Sequence, residues 1–257
     1  MPPASQYTTR RLAFRALHTQ GCFLLPNPWD IGGAQRLQKL GFQALASSSS
    51  ACALALGRTD YHITLEESLA HLQMLVGATE LPVNADFENG FAGAPERVAE
   101  NVSAAVRTGI AGISIEDQTG GALYGLTLAV ERIAAARAAL VASGEDVMLV
   151  ARCEAYLVGR RDPKLVTERL MQFAAAGADC LFAPGVTDLT ELAVMVRAVA
   201  PRPVNVLLIN PAMRVSELAA VGVRRVSLGS ALAQAAWQGF DFAASTILNE
   251  GRLPAKI

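Results

Sequence analysis

Eight short runs rich in Val, Ile and Leu, each followed by a longer segment of helical period, constrain this chain more than any other feature. The runs read as strands over residues 22–27, 44–49, 83–88, 112–117, 147–154, 180–185, 204–209 and 225–229. Gly41, Gly109, Gly177 and Gly222 each stand a few residues before the next run and read as helix stops. Eight such units in 257 residues predict a single α/β domain over residues 1–257, a (β/α)8 TIM-type barrel. A doubly wound open sheet alternates in the same way, but its usual G-x-G-x-x-G after the first strand is absent. No Pro-, Gly- or Ser-rich linker divides the chain.

The composition, 52% hydrophobic with 18% charged residues, suits a compact enzyme-like globule. A formal net charge of −1 exerts no pull on nucleic acid or anionic membranes, and neither partner is expected. Cys22, Cys52, Cys153 and Cys180 form no C-x-x-C pair and read as buried thiols of a reducing, cytoplasmic compartment. Arg10, Arg11 and Arg15 lie on a polar N-terminal helix without the apolar stretch of a signal peptide, and no run reaches the length of a membrane span.

In a barrel, catalytic groups belong at the C-terminal strand ends. That rule selects Asn27, Asp30, the serine run at 47–50, Asp86, Glu88, Glu116, Asp117, Arg152, Glu154, Asn205 and Asn210. Asp86 and Glu88, two residues apart on one strand, face the same way, and Glu116 adds a third carboxylate to the rim. Converging acids repel, and a divalent cation such as Mg²⁺, which needs only one or two carboxylates, is the simplest remedy. The alternative is a solvated strand end. Arg152 is either a counter-ion for these acids or a fork that holds a substrate carboxylate. Ser48, Ser49 and Ser50 form either a plain loop or a donor nest at a helix start. Asp60 is either a cap or an acid beside the metal. Asn205 is a further candidate for substrate binding. His18, His62 and His71 fall outside the strand ends and read as surface or helix-face residues. The segment 225–230, Arg-Val-Ser-Leu-Gly-Ser, offers a weak phosphate-loop reading.

Taken together, these residues resemble the isocitrate lyase/phosphoenolpyruvate mutase superfamily over nearly the whole chain. Asn27-Pro28-Trp29-Asp30 and Gly41-Phe42-Gln43-Ala44-Leu45 are similar to its opening strand and helix, and the serine turn running to Asp60 to its second loop. Asp86-Phe87-Glu88-Asn89-Gly90-Phe91 resembles its D-x-D-x-G-[YF] metal motif, with Glu in place of the second Asp. Ile115-Glu116-Asp117 and Ala151-Arg152-Cys153-Glu154-Ala155 match the fourth and fifth strand motifs. The resemblance implies Mg²⁺ held by Asp86, with Glu88 and Glu116 acting partly through water. It implies a small carboxylate substrate, a 2-oxo acid or a 2-hydroxy di- or tricarboxylate, held by Arg152 and the serine-turn amides. A pyruvate-like enolate would be stabilised while a bond at C3 is broken or made. It also implies a homotetramer or homodimer that exchanges its last helix, here residues 240–248.

The departures narrow the reaction. Lyases of the superfamily carry a K-[KR]-C-G-H loop after strand four, and mutases a K-T-N loop. Here Asp117-Gln118-Thr119-Gly120-Gly121-Ala122-Leu123-Tyr124-Gly125 has neither. Isocitrate-type cleavage and phosphonate mutation are therefore disfavoured. Oxaloacetate decarboxylation, which needs an electron sink and little acid–base help, is the leading expectation for a Mg²⁺-dependent lyase. Tyr124 either packs or protonates the enolate, and Asp60 or Glu88 would serve a C–C hydrolase as water-activating base. The alternatives are a barrel that binds a 2-oxo acid or phosphonate without turnover, and a phosphonomutase or hydrolase of the same superfamily.

Overall fold

The computed structural model describes residues 4–255. Helix α1 (Ala4–Leu17) precedes β1 (Phe23–Leu25), α2 (Ile31–Lys39), β2 (Leu45–Ala46), α3 (Ser49–Ala55) and α4 (Leu65–Ala78). Next come β3 (Val83–Asp86), α5 (Pro95–Val106), β4 (Gly112–Glu116), a hairpin of β5 (Gln118–Thr119) and β6 (Ala122–Leu123), then α6 (Leu126–Ala142). The second half runs β7 (Met148–Arg152), α7 (Pro163–Ala175), β8 (Cys180–Phe182), α8 (Leu189–Val199), β9 (Val204–Leu207), α9 (Val215–Ala220), β10 (Arg225–Ser227) and α10 (Ala231–Glu250).

All eight expected strands are present, shorter at their ends than the apolar runs, and lie parallel in the order β1-β10-β9-β8-β7-β4-β3-β2. The amide of Ala46 donates to the carbonyl of Pro26 at 3.0 Å, so the two edge strands meet and the barrel closes. The four helix-stop glycines all take positive φ, between 91° and 103°. Asp30, Asp162 and Asp188 cap α2, α7 and α8, and Thr64 with Glu67 makes a capping box on α4.

Side chains alternate across each strand, and the two faces differ in character. Outward residues such as Ala85, Ile113, Ile115, Leu149, Leu181 and Val206 join the core beneath the helices. The inward set is mixed. Phe23, Leu25, Ala46 and Met148 cluster with Phe14 of α1, whereas β3, β4, β9 and β10 turn Asn84, Ser114, Asn205, Arg225 and Ser227 inside, all buried. A barrel interior normally fills with Val, Ile and Leu, so this polar column marks a cavity and not a packed core.

One expectation changes. His18 is not a surface residue; it is buried against Phe14 and Phe23, edge-to-face at 4.8 and 4.9 Å. The region after β4 forms a two-residue hairpin, whose Gly120 and Gly121 both take positive φ (55° and 80°). Asp117 accepts from Arg169 Nε at 2.6 Å, and Tyr124 O from Arg169 at 3.0 Å, which pins the hairpin to α7.

Burial, followed by the charge of Arg225, pulls the His18 pKa down to about 3. A histidine held neutral in the fold gains its proton on unfolding below pH 6.5, so its contribution is intact above that pH and is lost as pH falls toward 3. Between pH 7 and 4.5 the loss is about 2–3 kcal/mol. His18→Leu should flatten this acid limb in urea titrations at stepped pH; an unchanged limb contradicts the assignment.

Candidate active site

The C-terminal mouth holds five carboxyl groups, Asp60, Asp86, Glu88, Glu116 and Glu154, around the single guanidinium of Arg152. Strand register creates the cluster. Glu116 and Arg152 are partners on the parallel pair β4–β7, so both project inward at one level. Asp86 ends β3, paired with Ser114 on the other side of Glu116. Arg152 Nη1 donates to Asp86 Oδ1 at 2.6 Å and lies 3.0 Å from Glu116 Oε1, while its Nε reaches Glu154 Oε1 at 2.9 Å. The ring of Phe182 backs the guanidinium at 5.1 Å.

In an ordinary ion pair the acid becomes stronger. Here Glu116 and Glu154 are both weakened, because burial outweighs the help of Arg152 and neighbouring acids add repulsion. Burial would lower the Arg152 pKa, yet the charges of Glu116, Glu154 and Asp86 lift it well above its usual value. Glu88 has no such partner. Its Oε1 is buried and unbonded, and burial, then Asp86, Glu116 and Asp60, push its pKa up to about 8. Asp60 is accessible at the rim and accepts from the Tyr61 amide at 3.0 Å. Its pKa is raised by the packing around its carboxyl and by the charge of Asp86.

Backbone conformation shows the same concentration of constraint. Tyr61, Glu88 and Phe91 are the non-glycine residues with positive φ (62°, 45° and 54°) among the described residues, and all three border this mouth or its supporting loop. The loop is held from behind by Arg132 of α6, whose guanidinium bonds the carbonyls of Asn89, Ala92 and Glu116. Tyr61 leans over the mouth and donates its phenol proton to Glu116 Oε2 at 2.9 Å. Burial, then Glu116 and Glu154, hold that phenol well above its usual pKa, so it remains a donor.

The cavity below has a volume of about 220 Å³ and is lined by the serine turn, Asp60, Asp86, Glu116 and Arg152, with Arg225 and Ser227 deeper. The serine turn is partly committed. Ser49 N and Oγ both donate to Asp86 Oδ2 at 3.0 Å, Ser47 Oγ accepts from the Asp86 amide, and Ser48 caps α3. Asn205 is buried behind the cavity wall, its amide bonded to Arg225 and Ser227. Tyr124 faces away: its ring lies under the Arg132 guanidinium at 4.0 Å and its hydroxyl accepts from Asn89 at 3.3 Å. The phosphate-loop reading of 225–230 fails locally, because the amides of Leu228 and Gly229 both donate to Asn27 Oδ1. A larger cleft of about 780 Å³ lies outside the barrel between α7 and α8 and has no comparable cluster of charge.

Among the described residues no three His, Cys, Asp or Glu side chains converge to ligating distance. The donor set nevertheless suits a hard cation. Oxygen ligands are in surplus, one buried carboxylate oxygen of Glu88 has no partner, and the acids raise one another's pKa. Sequence reasoning missed Tyr61, Arg132 and Arg225. The first adjoins Asp60 without any motif of its own, the second sits on a helix, and the third opens a strand instead of ending one.

Removing Arg152 leaves the buried carboxyl groups of Glu116 and Glu154, and the half-buried one of Asp86, without their cation. Arg152→Met should lose more than about 3 kcal/mol in urea unfolding, and a change below about 1 kcal/mol would show the mouth to be solvated.

A sequence model of phosphoenolpyruvate phosphomutase matches residues 14–248. The chain is 32% identical to an oxaloacetate decarboxylase of Chromohalobacter salexigens, over 90% of this chain and 82% of that protein. It is 31% identical to the 2-methylisocitrate lyase of Escherichia coli, over 69% and 62%. Among solved structures, a Burkholderia cenocepacia protein provisionally described as a lyase/mutase superposes with a TM-score of 0.94 at 46% identity, covering 97% of this chain and 91% of that one. Fold, mouth and sequence agree: the chain belongs to the phosphoenolpyruvate phosphomutase family, within the isocitrate lyase/phosphoenolpyruvate mutase superfamily of lyases and mutases.

Proposed function

We propose that this protein is a Mg²⁺-dependent carbon–carbon lyase that decarboxylates a small 2-oxo acid, oxaloacetate first, through a pyruvate-like enolate. The observation that carries the proposal is the surplus of buried carboxyl groups around one guanidinium, with a partnerless Glu88 oxygen among them. Likeness to oxaloacetate decarboxylases supports the substrate.

Asp86, with Glu88 and Glu116, would hold Mg²⁺, which when bound supplies a Lewis acid for the oxo oxygen. The C3–C4 bond breaks, CO₂ departs, and the electron pair passes to the C2 oxygen. A proton taken at C3 then gives pyruvate. Solvent water supplies that proton, because the burial and carboxyl groups that keep the Tyr61 phenol protonated and bonded to Glu116 also make it a poor acid. Glu116 and Glu154 hold Arg152 at the mouth, where its charge offsets the acids. The pinned hairpin β5–β6 has no Lys, Cys or His to supply further acid–base chemistry.

A barrel that binds a 2-oxo acid without turnover is the second reading. It is favoured by the full engagement of Arg152 with its own carboxylates. Mg²⁺-dependent pyruvate release from oxaloacetate should exceed the protein-free metal rate and fall at least about 100-fold in Asp86→Ala. No conversion across a panel of 2-oxo and 2-hydroxy acids, with oxalate still bound, would establish the binding role.

We further propose a homodimer or homotetramer. Of the twenty residues of α10 only Ala233 is fully buried, while Trp237, Phe240, Phe242, Ile247 and Leu248 are exposed. Light scattering should report two or four chains, and Phe240→Asp with Leu248→Asp should shift the protein toward monomer; a monomeric wild type overturns the assembly.

A further inference from the structure

The mouth contains one guanidinium that is saturated with charge, and the floor contains one that has no counter-ion. Arg225 opens β10 with its side chain inside the barrel, lining the cavity at 2% exposure. Its Nε donates to Asn205 Oδ1 at 2.9 Å and its Nη1 reaches Asn84 Oδ1 at 3.4 Å, both neutral amide oxygens. No carboxylate of the described residues pairs with it. The ionisable groups that act on it are the Cys180 thiol and, as a like charge, Arg152, and Arg225 in turn acts on His18. A guanidinium does not escape burial by losing its proton, as a lysine or histidine does. A buried cation with only amide partners is costly to retain unless an anion completes it.

We infer that Arg225 is the floor of the substrate site and holds, through a charge-assisted hydrogen bond, the carboxylate that the substrate retains during reaction. Asn205 and Asn84 position the guanidinium. Asn205 is itself fixed by donating to Ser227 Oγ at 2.9 Å, so it keeps its oxygen turned to Arg225. The cavity volume of about 220 Å³ accommodates a small oxo acid spanning floor and mouth. Charge is graded along that span, positive at the floor and crowded with carboxyl groups at the mouth. A carboxylate that reaches the floor therefore meets a positive charge without a counter-ion. The assignment rests on the lyase reading only for the direction of bond breaking. A carboxylate paired with a guanidinium is stabilised as the charged group and does not leave as CO₂, so the departing carboxylate of oxaloacetate would face the mouth.

The test measures oxalate binding by calorimetry, with Mg²⁺ present throughout, alongside oxaloacetate turnover. Asn205→Asp keeps the guanidinium but gives it an internal counter-ion with almost no change in shape. Arg225→Met removes the charge, and Arg225→Lys keeps it. Expected is a rise in the oxalate Kd of about 30-fold or more for Asn205→Asp and Arg225→Met, against less than about fivefold for Arg225→Lys, all with cooperative melts. Wild-type affinity in Asn205→Asp, or a wild type that binds no oxalate, would overturn the subsite. Oxalate binding that depends on Arg225 in a protein without turnover would overturn the lyase reading and leave the subsite standing.

Discussion

The ion cluster around Arg152 is the constraint on which the rest of the mouth depends. A guanidinium so buried is tolerable only because Asp86, Glu116 and Glu154 surround it, and those acids are tolerable only because of it. The balance is incomplete. Five carboxyl groups share one cation, and the excess appears as raised pKa values at Glu88, Glu116, Glu154 and Asp60. Such an arrangement persists only where the surrounding chain holds it in place. Three positive-φ residues, the Arg132 clamp and the Ser49 bonds to Asp86 supply that restraint.

The same logic explains the interior. A hydrophobic barrel axis would place the Arg152 cluster against apolar walls, where unpaired charge is most expensive. Instead, Asn84, Ser114, Asn205 and Ser227 form a polar column beneath it, in which Asn84 donates to Ser114, Asn205 donates to Ser227 and accepts from Arg225, and Ser114 donates to the Ala85 carbonyl. At the base, Phe14 and Phe23 return the interior to apolar packing and confine His18. The molecule is thus layered along its axis, apolar plug, cationic floor and acidic mouth. This layering, together with strand register, aligns the site.

Much of this was legible in the sequence, for identifiable reasons. Strands announce themselves by apolar runs, and a barrel places function at their C-terminal ends, so Asp86, Glu88, Glu116 and Arg152 could be named together. For Asp86, Glu116 and Arg152 the convergence follows from parallel register, whereas Glu88 lies beyond the end of β3 and is brought in by a left-handed turn at φ 45°. What escaped had no local signal. Tyr61 reaches Glu116 across 55 residues of chain, and Arg132 supports the β3 loop from a helix whose own pattern shows only amphipathicity. The hairpin after β4 was visible as two glycines but not as pairing. Arg225 stood out only as the first residue of the 225–230 segment with its phosphate-loop pattern, and nothing local shows that a long side chain at a strand start reaches the cavity from below. His18 failed in the opposite direction, since nothing in a polar N-terminal helix shows that one of its turns plugs a barrel.

Two arginines inside one barrel invite the question of which is available to a ligand. At Arg152 an incoming carboxylate must compete with three carboxylates already in place, and displacing any of them leaves a buried acid bare. At Arg225 the incumbents are two neutral amide oxygens, one of them at the long distance of 3.4 Å. Hydrogen bonds to an ionised acceptor are roughly twice as strong as those to a neutral one, so a carboxylate gains at Arg225 by adding to or replacing what is there. Exchange at Arg152 is close to neutral at best, since one charge only replaces another. The resemblance to lyases and mutases directs attention to Arg152 as the substrate clamp, but the physical asymmetry between the two sites places the readier anion acceptor one layer lower.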